Sequence, residues 1–212
     1  KVELIEGQPP DTAEIVILHK ELEDHPGLLA KIAGVFTANS LEILAAEIGQ
    51  VGAQGHLLDR FVVKDIKFTE RLQTAGSVDN VWLETTPRLE GDLIGALEEN
   101  VSIAKIFEKR KKPFVFSKPK TAFQVPTRVF SKKANGRFTW VDIETLDYPG
   151  VLFISASVLA GLRFNILPKR TFIDTEGYEP PVGMKAVSAF AIEGMLTKAE
   201  KKRLSRVLKQ IL

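Results

Sequence analysis

Residues 24–44 read DHPGLLAKIAGVFTANSLEIL, and residues 147–167 read DYPGVLFISASVLAGLRFNIL, 123 positions further on. The same shift carries Pro26 to Pro149, Gly27 to Gly150, Leu29 to Leu152, Val35 to Val158 and Ile43 to Ile166. A turn and an apolar helix that recur at one offset imply a tandem repeat. Each copy then has roughly 90–110 residues, an ordinary size for a small domain. The division this implies is a first unit at 1–112, a basic, Phe-containing linker at 113–125 and a second unit at 126–212.

Composition allows both copies a core. Hydrophobic residues make up 44% of the chain and charged ones 26%, which are ordinary globular values. The formal charge of +2 is too small to point to a nucleic-acid partner. With no cysteine there is no disulfide, thiolate nucleophile or thiolate metal site, in keeping with a cytoplasmic protein. No window reaches the 18 or so apolar residues of a membrane span, and the N-terminus has no signal-peptide pattern, so no membrane partner is expected. The chain starts Lys-Val-Glu without a Met, which fits either a numbering that begins after disordered residues or a piece of a longer protein.

The pattern of apolar residues gives the elements. Strands are expected at 1–6, 14–22, 42–51 and 56–64, with a two-glycine turn at 52–55. Between the second and third lies a helix, with Leu28, Leu29, Ile32, Val35 and Phe36 on one face. Asp24 suits its N-cap and Pro26 its first turn. A polar stretch and one helix at about 92–109 complete the first copy. The second copy repeats the order: strands at 127–132 and 137–145, a helix after the DYPG turn, strands at 163–174 and 185–192, and a loop at 175–183. Its last helix, at 198–212, has Leu204, Val207, Leu208 and Ile211 on one stripe. A helix after one strand and another after a hairpin is the βαββαβ plan of a ferredoxin-like α+β unit, with the final strand moved to the front of each copy. The fold class expected is therefore α+β, two such units in tandem, antiparallel sheets with helices on one face.

The D-x-P-G-[LV]-L turn, the helix and the G-x-x-x-D-x-F-x-V-x-D strand at 55–65 resemble ACT domains. The second copy keeps Asp147-Tyr148-Pro149-Gly150-Val151-Leu152 and Phe164-Asn165-Ile166, but only Phe190 of the third-strand motif. A tandem pair in this order is similar to the C-terminal region of bacterial PII uridylyltransferase/uridylyl-removing enzymes. The resemblance implies a regulatory module that senses an amino acid, glutamine first, and controls attached catalytic domains. Its implied partners are those domains or a PII-type signalling protein, with an ACT–ACT homodimer also open.

Ligand binding has a physical basis in the helix start, where unpaired N–H groups and the helix dipole attract a carboxylate. Gly27 and Gly150 permit close approach. Asp24 or Asp147 can accept from the ligand's ammonium, and Asn165 can bind an amide where Glu42 stands in the first copy. The candidate binding residues are Asp24, His25, Gly27, Leu28, Leu29, Asp147, Tyr148, Gly150, Val151, Leu152 and Asn165. The competing reading is that the aspartates only cap helices and the glycines only permit turns, which leaves an interaction or dimerisation module that binds nothing small. His19, His25 and His56 lack metal-ligand spacing, so no metal is expected. No cofactor is expected in this chain, and no catalytic motif occurs. Residues 105–133 hold ten basic residues and one acid, interleaved with Phe. A nucleic-acid surface there competes with a solvated helix end and linker, and the second reading is preferred.

Overall fold

The computed structural model describes residues 2–3, 9–19, 27–51, 56–113, 126–134, 137–167, 172–176 and 185–212. In chain order the first half holds β1 (Val2–Glu3), β2 (Thr12–His19), α1 (Leu28–Ala38), β3 (Leu41–Val51), β4 (His56–Asp65), α2 (Phe68–Ala75), α3 (Val78–Leu97) and α4 (Ile103–Lys109). The second half holds β5 (Arg128–Ala134), β6 (Phe138–Leu146), α5 (Val151–Gly161), β7 (Phe172–Glu176), β8 (Lys185–Glu193) and α6 (Lys198–Ile211). Among the described residues no helix is long and apolar enough to cross a membrane.

All the pairings between strands are antiparallel and form one eight-stranded sheet in the order β1-β2-β4-β3-β7-β8-β6-β5. The first four strands and the last four have mirrored orders, and each half is a ferredoxin-like α+β unit. The leading strand of each half sits at an outer edge, β1 beside β2 and β5 beside β6, as the displaced-strand reading requires. The halves meet where β3 pairs with β7, Ala45 opposite Asp174 and Ala46 opposite Ile173.

The helices cover one face. Alternation along β4 places Phe61 and Val63 in the core, and Ile15 and Ile17 of β2 face the same way. Phe36 of α1 meets Phe61 edge-on, 5.0 Å between centroids. The buried apolar side chains of both halves form one cluster. α1 and α5 cross the junction antiparallel: a Cβ on Gly27 would lie 3.5 Å from that of Ala160, and one on Gly34 would lie within 3 Å of the Phe153 ring. Phe107 of α4 stacks on Phe153 as well, at 6.1 Å.

Three expectations need correction. The region between β4 and the linker holds three helices, not a polar stretch and one helix. Asn100 takes a positive φ of 55° and ends the run that periodicity had joined across 92–109. Of the strand expected at 163–174, the described residues show β7 at Phe172–Glu176 and, at Ile166, only an isolated bridge to Ile192, while 163–165 are not strand. Asp147 does not cap α5. The N-cap is Gly150, left-handed at φ 92°, and no side chain caps the helix. Gly27 begins α1 the same way, at φ 114°. Such angles exclude most side chains, so both glycines are needed for the backbone first. Asp24, His25 and the turn expected at 52–55 lie outside the described residues.

Candidate ligand site at the junction of the two halves

The start of α5 lies against the start of β3, so a turn from one half meets a strand from the other. Asp147 precedes α5 on β6's exit, half-buried, and Glu42 is the second residue of β3, also half-buried. They are close enough for their charges to interact. Burial, then the Glu42 charge, push the Asp147 carboxyl up to about 6, against a smaller pull from the Tyr148 backbone N–H. Burial likewise raises Glu42, which Lys64 partly offsets. Two half-buried carboxylates whose charges interact near the positive end of a helix form a cation-seeking group beside an anion-seeking one.

The other residues singled out from sequence divide into two groups. Tyr148, Val151, Leu152 and Leu29 are buried in the core, and Leu28 packs against it. Their side chains build the floor of the turns, leaving backbone groups as what they can offer a ligand. Asn165 lies in the second half, where its side-chain amide donates to the Glu193 carboxylate at 3.0 Å and its backbone carbonyl accepts from the Glu193 N–H at 2.9 Å. The residue opposite the DYPG turn is Glu42, which the repeat had aligned with Asn165 but not assigned to that turn. Only strand order across the junction could have revealed that pairing. No metal cluster of three or more His, Asp or Glu occurs among the described residues.

A model of the ACT domain matches residues 16–73, which run from β2 to α2. The bifunctional uridylyltransferase/uridylyl-removing enzyme of Gluconobacter oxydans (strain 621H) is 26% identical over 196 residues, 91% of this chain and 18% of that protein. The same enzyme of Ruegeria pomeroyi (strain ATCC 700808 / DSM 15171 / DSS-3) is 25% identical over 146 residues, 68% of this chain and 14% of that one. The chain thus spans less than a fifth of the length of these curated relatives. Among solved structures, aspartate kinase from Synechocystis superposes with a TM-score of 0.47 at 12% identity, covering 94% of this chain and 26% of that one. Residues 16–73 thus match the ACT domain, and over most of its length the chain is similar to the bifunctional uridylyltransferase/uridylyl-removing enzymes.

Proposed function

We propose that this chain is the amino-acid-sensing part of a uridylyltransferase-type enzyme, with glutamine as its ligand and the junction between the halves as the place of sensing. The observation that carries the reading is the Asp147–Glu42 pair at the start of α5. An α-amino acid has an ammonium and a carboxylate a few ångströms apart. The ammonium fits between the two acids, and the carboxylate fits the N–H groups of the first helical turn beyond Val151, whose own N–H is taken by the Tyr148 carbonyl. Because the pair draws one acid from each half, a ligand there favours one arrangement of the halves, and that bias can pass to attached catalytic domains.

Calorimetry with glutamine and a panel of other amino acids tests this. Glutamine should release heat at neutral pH, and Asp147→Asn should weaken binding by about 1.5–3 kcal/mol, the worth of a hydrogen bond to a charged group. Heat with none of them would overturn the sensing role. A second reading, an interaction module that binds nothing small, draws on the burial of Tyr148, Val151 and Leu152. On that reading no amino acid gives heat, and Asp147→Asn leaves association unchanged.

A further inference from the structure

The C-terminal end of α1 borders a cavity of about 380 Å³, walled by α2, α3 and the residues that follow α4. Five cationic side chains line it: Lys67, Arg71, Arg88, Arg110 and Lys112. Three of them have carboxylate partners. Arg71 binds buried Asp65 at 2.6 Å and the Asn39 carbonyl at 2.9 Å. Arg110 binds buried Asp92 at 2.6 Å and the Arg88 carbonyl at 3.1 Å. Lys67 pairs with exposed Glu70 at 2.9 Å.

The other two are unmatched. Nε and Nη2 of Arg88 are buried with no hydrogen-bond partner among the described residues. Lys112 donates to the Ser40 hydroxyl and forms no ion pair among the described residues. The Asn39 Oδ1 in the same wall is also buried without a partner. Burial, then Arg71 and Arg110, lower the Arg88 pKa; burial, then Lys67 and Arg71, lower that of Lys112. A guanidinium edge shut off from water with nothing to donate to is costly, and it is most simply satisfied by an anion. The exposed acid Glu84 also lines the cavity but reaches neither cation within ion-pair distance.

We infer that this cavity is a second ligand site, for a small doubly charged oxyanion: a phosphate group or a pair of carboxylates. Turned by a change of rotamer so that its unpaired edge faces the cavity it lines, the Arg88 guanidinium matches two oxygens of either group, and Lys112 supplies the second charge. The site is separate from the amino-acid site, yet Ser40 in its wall is followed two residues later by Glu42 of the junction. An anion there would tie the end of α1 to the residues that lead into the linker.

Titration calorimetry on the whole chain tests it, with inorganic phosphate and with succinate, against chloride at matched ionic strength. The expected result is saturable binding of one or both anions. Phosphate alone would mark a phosphate-bearing ligand and succinate alone a dicarboxylate. Affinity should fall at least tenfold in Arg88→Met and in Lys112→Met, and stay unchanged in Lys202→Met, at an exposed position of α6. Should Arg88→Met fail to fold, Lys112→Met decides. Glutamine heats measured on the same variants keep the two sites distinguishable. Binding no better than chloride, or wild-type affinity in the variants that fold, would overturn the inference.

Discussion

Asp147 carries a penalty at neutral pH. Its carboxyl is raised from an ordinary 3.8 to about 6, so between those values the folded chain binds more protons than the unfolded one. Stability from this group is therefore present at low pH and lost as pH rises through about 6. The shift corresponds to about 3 kcal/mol as an upper figure; solvent screening of a half-buried group reduces it to about 1–2 kcal/mol. Asp147→Asn should therefore raise the melting temperature at pH 7.5 and flatten the slope of stability between pH 4 and 6. A bound ammonium has the opposite preference, because it needs both acids ionised. Glutamine affinity should fall as pH is lowered through about 6, and an affinity flat from pH 5 to 8 would remove Asp147 from the site.

At the scale of elements, Asp92 ties three helices together. It is almost fully buried in α3, accepts from Asn39 at the end of α1 at 3.0 Å, and receives Lys109 at 3.0 Å and Arg110 at 2.6 Å from the end of α4. Burial pushes its pKa up, but the hydrogen bonds from Arg110, Asn39 and Lys109 outweigh that and hold it below the ordinary value. The stability it contributes is present above the ordinary carboxylate range and is lost as pH falls through the lowered pKa. Arg110→Met leaves a buried charge short of its best partner and should cost about 3 kcal/mol. Lys109 is largely exposed, and Lys109→Met should cost under about 1 kcal/mol, both read by urea denaturation.

These helices are where pattern reading failed. α2 buries only Phe68, and α3 leaves Leu83 and Ile94 exposed and contains Pro87, so neither shows a clean apolar stripe. End signals were nonetheless present. Gly76 closes α2 at φ 79°, and the Ser77 hydroxyl caps α3 by accepting from the Asn80 N–H at 3.2 Å. By contrast α1, β2, β3, β4 and β6 were legible because one face of each is consistently apolar. The candidate turns were legible as motifs, but their roles were not. Gly150, not Asp147, occupies the cap, because the backbone there is left-handed.

At the scale of the whole molecule, the halves are held together by a short strand pairing and by α1 against α5. Gly34 sits at that contact, and a Cβ there would come 2.8 Å from Ile103 and 2.9 Å from Phe153. Gly34→Val should therefore cost about 1–3 kcal/mol by overpacking. Gly91, exposed in the middle of α3, meets nothing within 4 Å, and Gly91→Ala should stabilise by about 0.8–1 kcal/mol through helix propensity. A urea midpoint that moved alike in both variants would contradict this account of the junction.

The amino-acid sequence by itself determined what is local: strands from alternation, helices from their stripes, turns from Pro and Gly, and the likeness to ACT domains from a motif repeated at one offset. Tertiary structure decided what lies across the junction. A residue's neighbours in its own element follow from the period of that element, but neighbours from another unit depend on which strand edges join. The β3–β7 pairing set Glu42 against Asp147, and three helices folding back on α1 gathered Arg88 and Lys112 around one cavity.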